Sequence, residues 1–201
     1  MTADLFGEPL IDGLEYRPDF ISAAEQRELI EHLSTAELSP FQFQGWTGKR
    51  LARTFGWRYD FADSSFAPSE SIPDWLLPLR EQAAAFAKVA PDEFVHVLLV
   101  RYDPGAGIGW HRDRPVFETV VGVSLGSPAI LRFRRRRPGG FDRAKIEVVP
   151  RSAYLLSGPA RHEWEHSIAP GATLRFSITF RTFSEKGRRI ASKASDEGPL
   201  R

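Results

Sequence analysis

The sequence contains no cysteine, which excludes disulfides, thiolate metal ligands and a cysteine nucleophile. Any metal site has to be built from His, Asp or Glu. An excess of charge of one sign is also missing: the net charge is +1, so affinity for a polyanion must come from local patches. No apolar run approaches the roughly 18 residues of a membrane span. The opening "MTADLFGEPL" lacks the basic region, apolar run and small-residue cleavage site of a secretory signal. Together these absences predict a cytoplasmic protein that does not engage a membrane. No internal repeat is visible. What is there is ordinary for a soluble globular protein: 42% hydrophobic and 26% charged residues in a chain of 201, enough for one well-filled domain and expected to be a monomer.

Along the chain, "SAAEQRELIEHL" predicts a helix with Ser22 as its cap, Glu25 completing a capping box, and Leu29, Ile30 and Leu33 as an apolar stripe. A second helix fits "PDWLLPLREQAAAFAKVA", with Pro78 in its first turn or marking a break. Between them the aromatic and basic "FQFQGWTGKRLARTFGWRYDF" predicts two or three strands joined by turns. From residue 94 the texture changes to short β-type runs separated by glycine and proline: "FVHVLLVRY", "ETVVGVSL", "AILRFRRR", "KIEVV", "SAYLLSG" and "TLRFSITFRTF". Strands without intervening helices predict a mainly β fold, an antiparallel sandwich or barrel with the helices packed outside. A single domain is expected over 1–185, with a lid at about 41–62 and a β core at about 94–183; the polar tail 186–201 is expected to be loose.

In "GAGIGWHRDRP", His111 and Asp113 stand two apart, so in an extended segment both face one way. Such a pair recurs by chance and does not fill a metal site. "GPARHEWEHSIAP" offers His162 and His166, and one further imidazole completes two histidines and a carboxylate, a facial triad that holds Fe(II) and leaves positions open. In "LRFSITFRT", alternation puts Phe176, Ile178 and Phe180 on one face and Arg175, Ser177, Thr179 and Arg181 on the other. That polar face either meets water or turns into a barrel, where two guanidiniums would require anions such as a small dicarboxylate.

"RYDPGAGIGWHRD", "SLGSPAILRFRR", "PRSAYLLSGPARHEWEHSI" and "LRFSITFRT", in this order, resemble the AlkB family of Fe(II)/2-oxoglutarate dioxygenases; the first half is less similar, with "GKRLARTFGWRYDF" resembling the family's substrate-covering hairpins. The resemblance implies a double-stranded β-helix, or jelly roll, with N-terminal helices and a lid. It implies His111, Asp113 and His166 as iron ligands and leaves His162 outside the pattern. Tyr102 and Arg175 would hold the distal carboxylate of 2-oxoglutarate, Ser177 stands within the same strand, and Arg181 would lie near the carboxylate that chelates iron. The sequence departs from many members at Val100 and Ser177, where they carry Asn, and at Pro115, where alkyl-DNA repair members carry an acidic residue.

The implied chemistry is oxidative removal of N-alkyl groups from nucleic acid bases, with formaldehyde, succinate and CO2 as products. DNA is favoured over RNA, single-stranded or locally opened. Trp46, Trp57 and Tyr59, interleaved with Lys49, Arg50 and Arg53, are candidates for the base-and-phosphate surface, together with Trp110 and Arg161. The run "RFRRRRPGGFDRAK" places Arg132 and Arg134 outward if Leu131 and Phe133 point inward, giving a basic edge able to bind phosphates. Two alternatives remain open at this level: the same chemistry on modified tRNA, protein or a small molecule, and a noncatalytic jelly-roll binding module.

Overall fold

Strand β1 (Leu14–Arg17) leads into helix α1 (Ala23–Thr35). The helix starts where the Glu25 amide donates to Ser22 Oγ at 3.2 Å and the Ser22 amide donates to the Glu25 carboxylate at 2.8 Å. This reciprocal cap satisfies two amides that a helix start otherwise leaves without partners. The computed structural model describes residues 11–43, 46–59 and 66–196, and the side chains of 41–43, 46–48, 59, 66 and 194–196 fall outside that description.

Strands β2 (Ser39–Phe43), β3 (Trp46–Tyr59) and β4 (Phe66–Pro68) form the expected antiparallel hairpins, and β3 continues onto β5 (Phe94–Tyr102). A 3-10 turn at Asp74–Leu76 runs into α2 (Leu77–Ala87), with Pro78 in the first turn, where its missing amide hydrogen breaks no helical bond. The remaining strands are β6 (Ile108–His111), β7 (Phe117–Leu125), β8 (Ala129–Arg137), β9 (Gly140–Val148) and β10 (Ala153–Leu156). Then come the short helix α3 (Gly158–His162), β11 (Glu165–Ile168), β12 (Arg175–Phe183) and helix α4 (Glu185–Asp196).

They build two antiparallel sheets, the larger ordered β1-β10-β7-β12-β5-β3-β2 with β4 attached to β3, the smaller β6-β11-β8-β9. One core lies between the larger sheet and helices α1 and α2, where Leu29, Leu33, Leu79 and Phe86 meet Val97, Leu99, Ile178 and Phe180. The other lies between the sheets, where Val100, Tyr102 and Leu156 meet Leu131, Phe133, Val148 and Ile168. Each such side chain contributes on the order of 1.5–3 kcal/mol by leaving water. The result is a jelly roll with flanking helices.

Strand β12 is central to the larger sheet, so both its faces are covered. Phe176, Ile178 and Phe180 join the helix-side core, and Arg175 and Arg181, on the opposite face, are only 4% and 8% exposed. The choice between water and interior is thus made: the polar face is inside.

The C-terminal stretch departs from expectation, because 185–196 is helical rather than loose. Its composition is polar, but its start is stapled to the loop before β7: Ser184 Oγ donates to the Pro115 carbonyl at 2.6 Å and the Ser184 amide to the Val116 carbonyl at 2.9 Å. Gly187 lies so close to Val116 that a Cβ there would come within 2.1 Å of its carbonyl oxygen.

Candidate active site

Antiparallel pairing of β6 with β11 sets His111 directly opposite His166, with ring centroids 4.3 Å apart. The glycines of "GAGIGWH" permit this: a Cβ on Gly107 would come within 2.7 Å of the Ile168 carbonyl oxygen, so a larger residue would hold the strands apart. His111 Nδ1 lies 2.9 Å from the Gly109 carbonyl oxygen. A carbonyl only accepts, so Nδ1 carries the proton and Nε2 keeps its lone pair.

Asp113, just past β6, accepts at Oδ1 from Arg181 Nε at 2.9 Å and from Arg181 Nη2 at 2.7 Å. Its Oδ2 lies 3.8 Å from His166 Nε2 and is buried without a hydrogen bond. Burial opposes ionisation of Asp113, yet Arg181 above all, then His166 and His111, hold its carboxyl well below the usual range. Burial pushes His166 down to about 3, with His111 adding to the effect, and burial lowers His111 as well. At neutral pH the cluster is therefore a carboxylate beside two uncharged imidazoles. Proximity alone does not mark it, since no three His, Asp or Glu among the described residues meet a metal-site spacing as the side chains stand. The orphaned Oδ2 does, because a buried anionic oxygen without a donor calls for a cation. This donor set fits a ferrous ion held by two imidazoles and a carboxylate with positions left open.

Arg175 pairs in register with Tyr102, and its guanidinium stacks 5.0 Å over the Tyr102 ring. One Nη donates to Ser124 Oγ at 3.2 Å, while Nε and Nη1 are buried without acceptors. A buried guanidinium with two idle donors fits the carboxylate of a dicarboxylic cosubstrate. Ser177, opposite Val100, is buried on the same face of β12.

Two residues of this chamber escape sequence reasoning. His96, opposite Arg181, places Nδ1 3.4 Å from an Arg181 Nη, and burial followed by Arg181 depresses its pKa strongly. Tyr154 covers Gly122, where a Cβ would meet its ring at 2.2 Å, and burial with Tyr102 raises its hydroxyl to about 12. His96 could have been found, because alternation along "FVHVLLVRY" puts it on the face of Tyr102. Tyr154 is one of four consecutive buried residues of β10 and shows no such pattern.

Among the lid candidates, Lys49 Nζ comes within 4.0 Å of the space beside Gly105, and Arg50 is near enough to Tyr102 and His111 to interact electrostatically with both. Arg50 therefore borders the chamber, whereas Lys49, exposed and on the opposite face of β3, lies against the exposed loop at Gly105. Arg53 is paired with Glu70 at 2.8 Å, and Trp57 packs edge-on to Phe183 with centroids 5.3 Å apart. The side chains of Trp46 and Tyr59 lie outside the described residues. Trp110 sits on the face of β6 opposite His111, under Arg132 and Arg134. Arg161 is 4% exposed and donates to the carbonyls of Arg114 and Phe117 at 2.6 and 2.7 Å, which ties down the segment carrying Asp113. His162 turns outward to Glu118 at 2.7 Å.

The family model described as the 2OG-Fe(II) oxygenase superfamily matches residues 13–181. The chain is similar to the mitochondrial "Alpha-ketoglutarate-dependent dioxygenase alkB homolog 7" of Bos taurus, 31% identical over 199 residues that cover 90% of this chain and 77% of that protein. It is also similar to the "Probable RNA/DNA demethylase ALKBH6" of Danio rerio, 33% identical over 127 residues that cover 60% of this chain and 49% of that protein, about half its length. Among solved structures OsALKBH1 superposes with a TM-score of 0.63 at 17% identity, covering 87% of this chain and 99% of that one, a likeness of fold. The buried two-histidine, one-carboxylate cluster beside an anion-seeking arginine therefore sits in a chain that belongs to the AlkB family of Fe(II)- and 2-oxoglutarate-dependent dioxygenases.

Proposed function

We propose that the enzyme removes N-alkyl groups from nucleic acid bases, DNA in preference to RNA, with His111, Asp113 and His166 holding the iron. The observation that carries this reading is a cation at the rim: Arg50 of β3, on the face that Ala52 shares opposite Val100, is near enough to Tyr102 and His111 to interact with both at the edge of the chamber that contains the ligand cluster. The name of the Danio rerio relative supports the same substrate class.

In this reading Asp113 and the two neutral imidazoles bind the metal, Arg181 fixes the carboxylate, and Arg175 with Tyr102 anchors the cosubstrate. The apolar core between the sheets excludes water from the reacting carbon. When bound, iron with 2-oxoglutarate and dioxygen supplies the oxidising power that hydroxylates the N-alkyl carbon. The resulting hemiaminal loses its C–N bond, releasing formaldehyde from a methyl group, and the cosubstrate leaves as succinate and CO2.

Single-stranded oligonucleotides carrying 1-methyladenine or 3-methylcytosine, given Fe(II), ascorbate and 2-oxoglutarate, are expected to release formaldehyde. Absence of release from both, in protein that still converts 2-oxoglutarate to succinate, would overturn the substrate assignment and leave the oxygenase intact. Pro115, exposed where repair members carry an acid, favours a second reading with the same chemistry on modified tRNA, protein or a small molecule. Substrate affinity insensitive to salt would select a substrate without a phosphate backbone.

A further inference from the structure

The small sheet that holds two of the proposed iron ligands on its inner face has an outer face with a different order. Leu131 and Phe133 of β8 are buried inward, which turns Arg132, Arg134 and Arg136 outward. Register then places Lys145, Arg143 and Phe141 of β9 opposite these three, and Ser167 and Glu165 of β11 opposite Arg132 and Arg134. Trp110, one residue before His111, faces the same way.

Rings and guanidiniums alternate across this face. Arg132 and Arg134 lie 5.2 and 4.6 Å over Trp110, Arg134 also lies 4.9 Å over Phe141, and Arg143 lies 5.6 Å from that same ring. Stacking fixes a guanidinium through its flat face and leaves its N–H edge free, the edge that grips a phosphate with paired bonds. Arg134 uses its edge on Glu165 at 2.6 Å. Arg136, Arg143 and Lys145 are exposed and have no carboxylate partner among the described residues. The face carries five cations against Glu147 and Glu165, on a chain whose net charge is only +1. At the Arg136 end it opens into a cleft of about 510 Å³ where Arg112, Arg134, Arg135 and Arg136 meet two glutamates.

We propose that this ladder is a second nucleic-acid surface, which binds the phosphate backbone of the single strand flanking the target base without regard to sequence. The proposal rests on the nucleic-acid reading of the active site and extends it to the reverse of the strands that carry the ligands. The rings already lie against guanidiniums, so the face offers N–H edges to phosphates more readily than open rings to bases. An anionic membrane is the poorer partner, because Ile130 is the one exposed large hydrophobic on this face among the described residues, too little for an anchor.

The test is fluorescence anisotropy of an unmodified oligodeoxythymidine across a salt series, with wild-type protein and with the triple variant Arg136→Ala, Arg143→Ala, Lys145→Ala. A single strand contributes a slope of about −0.7 in log K against log salt per phosphate contact, so losing three contacts should flatten the slope by about 2 and weaken low-salt binding at least about tenfold. A melting temperature equal to wild type verifies the fold, and the variant Arg136→Lys, Arg143→Lys should keep the wild-type slope. Unchanged slope and affinity in the triple variant would overturn the surface, as would binding to phosphatidylserine vesicles with none to the oligonucleotide. Formaldehyde release from a methylated strand is measured in parallel. Release with an unchanged slope removes the surface alone; a flattened slope without wild-type release removes the dealkylase reading alone.

Discussion

Arg175 and Arg181 occupy one face of one strand, yet their environments separate their roles. Arg181 is matched to the buried carboxylate of Asp113, so Arg181→Ala leaves an unpaired charge and should cost on the order of 3–5 kcal/mol, read by urea unfolding. Arg175 has two buried donors without acceptors. Arg175→Ala should therefore leave stability unchanged or raise it, while the 2-oxoglutarate concentration that half-saturates succinate formation rises steeply. An unchanged requirement would remove Arg175 from the cosubstrate site.

Protonation gives a second test at this scale. His166, His111 and His96 are all depressed by burial, so the unfolded chain takes up their protons first as pH falls below about 6.5. The metal-free protein should lose stability progressively from there down to the folded value of His166, about 3. Asp113, depressed as well, acts in the same direction only below its ordinary 3.8. Urea midpoints that stay level between about pH 7 and pH 5 would contradict the buried neutral imidazoles.

At the scale of elements, the pairing of β7 with β10 depends on a glycine beneath an aromatic ring. Gly122→Val places side-chain atoms where Tyr154 now lies and should cost about 1–3 kcal/mol through overpacking, measured by thermal melting. An unchanged melt would mean that Tyr154 swings clear. The signals that were legible in the sequence were local ones: the Ser22–Glu25 box fixes the start of α1, Pro78 falls in the first turn of α2, and alternation orders β12 correctly. Strands β6 and β11, four residues each, leave no strand signal in the sequence, because "IGWH" and "EHSI" carry no β-branched run and take their conformation from one another across the small sheet. Helix α4 is not legible in the sequence for a related reason, since its anchors are backbone carbonyls of Pro115 and Val116, far away in sequence.

At the scale of the whole molecule, a ligand that binds the folded state alone stabilises it by mass action. A redox-inert divalent ion such as Mn(II) at about 100 times its Kd should add about 2.7 kcal/mol to the unfolding free energy of wild type, and the gain should vanish in Asp113→Asn. The sequence by itself narrowed the chemistry: without cysteine a metal has to be held by His, Asp or Glu, and the resemblance of its motifs to the AlkB family marks His111, Asp113, His166, Arg175 and Arg181 as the candidates for an iron and 2-oxoglutarate site. Alternation tells which side chains share a face, but whether that face is wet or buried depends on which other sheet covers it. Only the tertiary structure decided that the arginine face of β12 turns inward, that Arg181 holds Asp113 while Arg175 keeps idle donors, and that Trp110 stands outside with the arginine ladder rather than beside His111 and His166.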